Sequence, residues 1–318
     1  MSRTNLLSFP GQGSKILLER LNHWCVNVPT FNNTNLINEF KNNLEKPESV
    51  AGCSNLLHKY WLSKNERNKS GTTYVIGHSL GELNALNASV NGIAFQCRDV
   101  MNIASFRNNL MIQAKQDYMR KNTLKDESYE LWAITNFRSK DLRKDLLQLL
   151  KDSDANSVKL ANDNAVNQCV VTGLPSDINK FKEYCQLCKL KLKFSQLSNP
   201  FSIPFHNSNI LRPIQEPLYD YIWDILKENG MQQLANEKVE NPIISNVDGK
   251  LTNDFHTALE KFVVGSSEIV NFVASCHTIA SELDMEEAYH FGPGNSIGKL
   301  IERNLKGFSS AVTHHYID

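Results

Sequence analysis

Short apolar runs alternate with amphipathic stretches of helical period along most of this chain. Leu6 to Phe9 reads as a strand, and the glycine loop Pro10-Gly11-Gln12-Gly13-Ser14 leads to a helical pattern through Ile16, Leu17, Leu21 and Trp24. An asparagine-rich stretch, 27–48, holds a short helix on Leu36, Ile37, Phe40 and Leu44; a second helix runs through Val50, Cys53, Leu56, Leu57 and Tyr60. The β-branched run Tyr74-Val75-Ile76 then meets Gly77-His78-Ser79-Leu80-Gly81, and a helix begins. Strand, glycine turn and helix thus occur twice. A long helix follows over residues 95–120, with Arg107 among its few charges.

After a polar, turn-like stretch at 121–128 the rhythm changes. Strands at 131–134, 157–160, 169–172 and 190–197 and helices at 141–150 and 177–187 spell β-α-β-β-α-β, the ferredoxin-like arrangement. Beyond it come helical residues around 207–218, delayed or bent by Pro213 and Pro217, then a strand at 243–247 and helices at 255–264 and 268–283. A strand at 288–291, the turn Gly292-Pro293-Gly294 and a last helix complete the pattern. Strands alternating with helices on both sides of the insertion predict an α/β fold. The expected architecture is a large hydrolase-like core with a mainly parallel sheet, residues 1–127 and 198–318, carrying a small ferredoxin-like subdomain at 128–197.

Composition adds mainly exclusions. The 318 residues carry 34 basic and 34 acidic side chains, so no global field draws the chain to nucleic acid or anionic lipid. No apolar run approaches the roughly 20 residues that span a bilayer, and Leu6 to Phe9 reads as structure, not leader, so a soluble protein is expected. Seven scattered cysteines fit a reducing compartment, and Cys185-Gln186-Leu187-Cys188 reads as a helix end because no second pair completes a zinc site.

The turn at Gly77–Gly81 is the place for chemistry. A serine between two glycines, after a strand and before a helix, is a nucleophile elbow: the glycines tolerate the cramped backbone and the turn lifts the hydroxyl above the sheet. A serine hydroxyl needs a base to take its proton. Of nine histidines, His78 should point away from its neighbour, and His206 stands at a strand-to-helix junction, where sites of open α/β sheets collect.

Phe9-Pro10-Gly11-Gln12-Gly13-Ser14, Gly77-His78-Ser79-Leu80-Gly81-Glu82, Arg107 with Met111, Pro204-Phe205-His206, Asn246-Val247-Asp248 and Gly292-Pro293-Gly294 follow one another along the chain. In that order and spacing the sequence resembles the malonyl-CoA:acyl carrier protein transacylases, and its asparagine-rich form resembles their fungal mitochondrial members. The resemblance implies Ser79 as the acylated nucleophile and His206 as its base, oriented by a backbone carbonyl near Phe262. It implies an oxyanion hole from the N–H groups of Gln12 and Leu80, Arg107 as the grip on the malonyl carboxylate, and Phe205, Met111, Asn162 and Asn164 near the substrate. Asn108 and Ile112 depart from the glycine and glutamine usual after the arginine and methionine, and Lys15 from a glutamine usual in the first loop.

The implied reaction moves malonyl from malonyl-CoA to the phosphopantetheine thiol of acyl carrier protein, for type II fatty acid synthesis, with no cofactor. A mitochondrial monomer is expected; the cytoplasm is the alternative. Lys189, Lys191 and Lys193 alternate with Leu190, Leu192 and Phe194, a basic stripe that is a candidate for carrier docking. A serine thioesterase, which shares the elbow, and a patatin-like lipase using Asp248 are the rival readings.

Overall fold

The computed structural model describes residues 3–65, 71–124, 128–306 and 312–318. β1 (Arg3–Phe9) is followed by α1 (Leu18–Asn27), α2 (Thr34–Asn42) and α3 (Pro47–Asn65); β2 (Gly71–Gly77) leads into α4 (Gly81–Ser89) and the long α5 (Cys97–Lys121). Next come β3 (Glu130–Thr135), α6 (Leu142–Asp152), β4 (Lys159–Ala165), β5 (Gln168–Gly173), α7 (Pro175–Leu187) and β6 (Lys193–Leu197). The chain continues through α8 (Ser208–Leu211), a 3-10 turn at Arg212–Ile214, α9 (Gln215–Glu228), β7 (Lys238–Ile244), β8 (Leu251–Asp254) and α10 (Phe255–Gly265). β9 (Val270–Asn271), α11 (Phe272–Glu282), β10 (Glu287–Phe291), α12 (Ser296–Leu305) and β11 (Thr313–Ile317) end it.

Six strands form the larger sheet in the order β11-β10-β1-β2-β7-β8, parallel except for β8. Alternation along its central strands feeds two cores. Leu7, Phe9, Val75 and Ile243 enter one cluster, while Leu6, Ile76, Ile244 and Ala288 enter another that includes Phe272 and Ile301. A strand buried on both faces reads as a continuous apolar run, which is why β1 and β2 were legible. α4 is buried all along its length, as a helix launched from a central strand must be.

The second sheet runs β6-β3-β5-β4-β9, with β3, β4, β5 and β6 antiparallel to their neighbours among themselves. α6 and α7 pack Leu142, Leu146, Ile178 and Phe181 on one face against Ile134, Leu160 and Val171. The other face carries the small cluster of Ala133, Ala161 and Val170 and turns toward a cleft.

Several boundaries differ from the sequence reading. The last strand of this unit starts at Lys193 instead of 190, because Lys189 adopts φ 55° and the Leu190 N–H closes on the Cys185 carbonyl at 3.1 Å, a helix-terminating turn. Residues 270–271, expected inside a helix, pair in parallel with β4 at Asn162 and Asp163, so the helix begins at Phe272. β7 ends at Ile244, and its earlier part from Lys238 was not expected to be a strand; nor were β8 and β11, two polar edge strands with little alternation. As expected, prolines delay the helix after His206: α8 stops after one turn, Pro213 sits in the 3-10 turn, and α9 starts at Gln215. Cys185 is buried in α7 and Cys188 lies just past its end, both as free thiols.

Candidate active site

At the carboxyl end of β2 the backbone turns so tightly that only glycine fits on either side of Ser79. A Cβ on Gly77 would lie 2.1 Å from the Glu82 nitrogen, and one on Gly81 would lie 2.2 Å from the Phe9 carbonyl oxygen. Ser79 itself adopts φ 51°, a left-handed conformation that costs an ordinary residue about 1–3 kcal/mol. Neighbouring bonds hold it there. The Ser79 N–H donates to Asn246 Oδ1 at 2.8 Å, and Asn246 Nδ2 donates to the Gly77 carbonyl at 2.8 Å. The Asn246 N–H in turn donates to Glu82 Oε1 at 2.7 Å. Burial pushes the Glu82 carboxyl up to about 8, against the pull of that N–H and of Arg107.

The Ser79 hydroxyl lies 2.8 Å from His206 Nε2. On the other side of the ring, Nδ1 lies 2.9 Å from the Glu268 carbonyl and 3.1 Å from that of Gly265. Carbonyls only accept, so Nδ1 carries the proton and Nε2 turns its lone pair to the serine. This corrects the expected carbonyl near Phe262, which is taken instead by the N–H and hydroxyl of Ser266, at 3.1 Å each. α10 ends at Gly265, and only in the last turn of a helix and beyond it are carbonyls free to reach a side chain. His206 also sits at a positive φ, 57°. Its loop is braced by Asn199, which donates to the carbonyls of Tyr129 and Ile203 and accepts from the Ile203 N–H, all within 3.0 Å. Burial, then the charge of Arg107, lowers the His206 pKa to about 3, so the imidazole is neutral when the serine must give up its proton.

Arg107 reaches the same point from α5. It is 1% exposed, its Nε donates to Ser266 Oγ at 2.9 Å, and Nη2 stands 3.5 Å from Ser79 Oγ. Burial lowers its pKa to about 10, with Glu82 opposing the shift, so it stays cationic near neutrality. A cleft of about 800 Å³ opens over Ser79 between the two sheets, with Gln12, Asn162, Asn164, Phe201, Phe205 and His206 among its walls. Asn164 Oδ1 lies 2.8 Å from His78 Nε2, so His78 turns away from its neighbour, as the elbow geometry required. Asn162 is buried in β4 beside β9. Met111 is fully buried in a cluster with Ile203 and Phe205 and does not line the cleft. Leu80 is buried just before α4, and the N–H groups of the three residues after it close on the carbonyls of His78, Ser79 and Leu80 at 2.9–3.1 Å. Asp248 is occupied elsewhere, paired with Lys261 at 3.0 Å.

The mitochondrial malonyl CoA-acyl carrier protein transacylase of Saccharomyces cerevisiae is 37% identical over 336 aligned positions, covering 94% of this chain and 92% of its own length. This chain belongs to the malonyl-CoA:acyl carrier protein transacylase family. No protein-family model matches it. Solved transacylases share its fold at low identity. The acyl-carrier-protein S-malonyltransferase of Bartonella henselae superposes with a TM-score of 0.74 at 18% identity, over 99% of this chain and 95% of that one. The transacylase of Helicobacter pylori gives 0.73 at 17%, over 99% and 94%. A malonyl-transacylase in complex with a type II PKS acyl-carrier protein gives 0.71 at 18%, over 99% and 95%. For this transacylase, Ser266, Asn199, Asn246, Glu82 and the carbonyls of Gly265 and Glu268 are the site residues the sequence did not assign. Only Asn246 and Glu82 stood within a recognisable motif.

Among the described residues no group of His, Cys, Asp or Glu is arranged to hold a metal ion, and no helix is long and apolar enough to cross a membrane.

Proposed function

We propose that this transacylase takes the malonyl group of malonyl-CoA onto Ser79 and passes it to the phosphopantetheine thiol of acyl carrier protein. The observation that carries the proposal is the Ser79–His206 pair at 2.8 Å with the buried Arg107 guanidinium 3.5 Å from the same hydroxyl. His206 Nε2 takes the hydroxyl proton as Ser79 Oγ bonds to the thioester carbon. The N–H groups of Gln12 and Leu80 hold the oxyanion, a contribution of about 3–4 kcal/mol per donor in related chemistry. Collapse breaks the C–S bond, and the proton on His206 passes to the departing thiolate, giving free CoA. The carrier thiol repeats the steps in reverse order, returning the proton to Ser79.

Arg107 selects the acyl group. Its nearby carboxyl, Glu82, is itself held largely protonated by burial, so a cation stands in the core short of a full counter-charge. A malonyl carboxylate supplies it through a bidentate pair; an acetyl group would leave the arginine unpaired. Phe205 shapes the pocket from the His206 loop and Asn162 and Asn164 from the second sheet, while Met111 backs Phe205 from α5 without lining the cleft. Residues 1–127 and 198–318 act as the acyltransferase core, and 128–197 supplies the opposite wall of the cleft.

The exchange uses no bound cofactor. The enzyme acts as a monomer in the mitochondrial matrix, in line with the word mitochondrial in the yeast relative's name, and feeds type II fatty acid synthesis. Intact-mass spectrometry after mixing with malonyl-CoA tests the reading. One malonyl adduct is expected, absent in Ser79→Ala and discharged by phosphopantetheinylated carrier. An adduct cleared as fast by water alone would make the protein a thioesterase.

A further inference from the structure

Gln12 lies between Gly11 and Gly13, in a loop whose backbone has little stiffness of its own. Gly11 is wedged against the elbow, where a Cβ would lie 2.5 Å from the His78 carbonyl oxygen, and Gly13 adopts φ 101°. Within the loop the Ser14 N–H closes on the Gly11 carbonyl at 3.4 Å, and the Gln12 side chain ties its middle to α5. Its Nε2 donates to Asn108 Oδ1 at 3.2 Å, while its Oε1 is sealed from solvent and has no hydrogen-bond partner among the described residues. Asn108 is 6% exposed and follows Arg107 directly on α5. The loop's other side-chain tie, Ser14 Oγ to Ser296 Oγ at 3.1 Å, lies at its exposed end.

We propose that Asn108 is a positioning residue that fixes the Gln12 backbone over Ser79 and so couples acyl recognition to oxyanion stabilisation. The inference rests on the proposed function, in which the Gln12 N–H receives the oxyanion. The physical reason is a count of partners. Without Asn108 the Gln12 amide would lose its Nε2 partner while its Oε1 stays buried, a state costly enough to drive the side chain, and the loop with it, toward water. Consecutive residues of one rigid helix then do two jobs: Arg107 faces the acyl carboxylate, and Asn108 sets the loop that meets the acyl oxygen.

A double-mutant cycle tests it. Asn108→Ala, Gln12→Ala and the double variant are compared in steady-state transfer and in acylation of Ser79 by intact mass, with melting temperatures to verify folding. Each single change is expected to lower kcat roughly five- to tenfold with KM for malonyl-CoA within about twofold, and the double variant to be no slower than the worse single. Asn108→Asp keeps the accepting oxygen beside cationic Arg107, and should restore kcat while raising KM for the anionic substrate. Unchanged kcat in Asn108→Ala, losses that multiply in the double variant, or an Asn108→Asp enzyme as slow as Asn108→Ala would each overturn the inference. A wild-type protein that forms no acyl-Ser79 overturns the proposed function as well; normal wild-type loading with an unaffected Asn108→Ala overturns the coupling alone.

Discussion

Arg107 shows how burial turns a common residue into a specific one. On a solvated helix face its charge would be satisfied by water and would discriminate little. At 1% exposure, with Ser266 taking one donor and burial raising the Glu82 carboxyl to about 8, the guanidinium retains donors, which the proposed function assigns to the acyl carboxylate. Arg107→Ala is therefore expected to reduce malonyl loading of Ser79 by at least a hundredfold, the order for one lost charged pair, while acetyl loading falls less than tenfold. Equal losses for the two thioesters in single-turnover mass measurements would reduce Arg107 to a structural role. The sequence could place this arginine on a helix, and the family resemblance could nominate it. Neither could supply its burial or its tie to Ser266, the residue that follows α10.

The same division holds for elements. The strand, elbow and helix at Ser79 were legible because a local rule governs them: glycine alone survives contacts of 2.1 and 2.2 Å at Gly77 and Gly81. The clamp on that elbow was not legible, since Asn246 lies 167 residues further on, just beyond β7. Its amide bridges the Ser79 N–H and the Gly77 carbonyl, replacing ladder partners that the turn removes. Asn246→Ala leaves both groups without that partner and should lower the melting temperature by several degrees, for a loss of about 2–3 kcal/mol, and slow acylation at least tenfold. A variant with wild-type melting and wild-type acylation would show that the glycines alone hold the turn. Short polar strands were the other blind spot. β8, β9 and β11 exist through pairing with β7, β4 and β10, and pairing partners are not written in a local pattern.

For the whole molecule, buried histidines set an acid limit. Burial holds His58, His206 and His290 at about 3, with Lys59 acting on the first, Arg107 on the second, and His314 and His315 on the third. Each takes up a proton on unfolding below about pH 6.5, the ordinary histidine value, while the folded chain stays neutral there. Stability should thus be full above that pH and fall as the pH drops toward 3. Glu82, raised to about 8, and Asp163, raised to about 6, act in the opposite direction. Three histidines against two carboxyls leave a net loss. Thermal melts between about pH 6.5 and 5 should show a falling melting temperature; a flat or rising profile would contradict the assignment. The exposed lysines 189, 191 and 193 belong to this scale too. Among the described residues they make no ion pair; only Lys193 lies in β6, with Lys189 and Lys191 in the turn before it, and β6 ends at Gln196 and Leu197 on the rim of the cleft. Reversing all three charges should slow transfer to carrier protein more at low salt than at moderate salt, with Ser79 loading by malonyl-CoA unchanged. Transfer that is unaffected at both salt concentrations would free this face of any docking role.

What the sequence determined by itself was whatever sterics and periodicity decide within a few turns: the elbow at Ser79, the buried strands on either side of it, the ferredoxin-like order of the insertion and the helix that carries Arg107. What the tertiary structure decided was which distant groups complete the site: the carbonyls of Gly265 and Glu268 on His206, Asn246 under the elbow, Ser266 on Arg107 and Asn108 on Gln12. The reason is physical. A hydrogen bond between residues far apart in the chain depends on where packed elements leave free donors and acceptors. That is settled only when two sheets close over a common cleft.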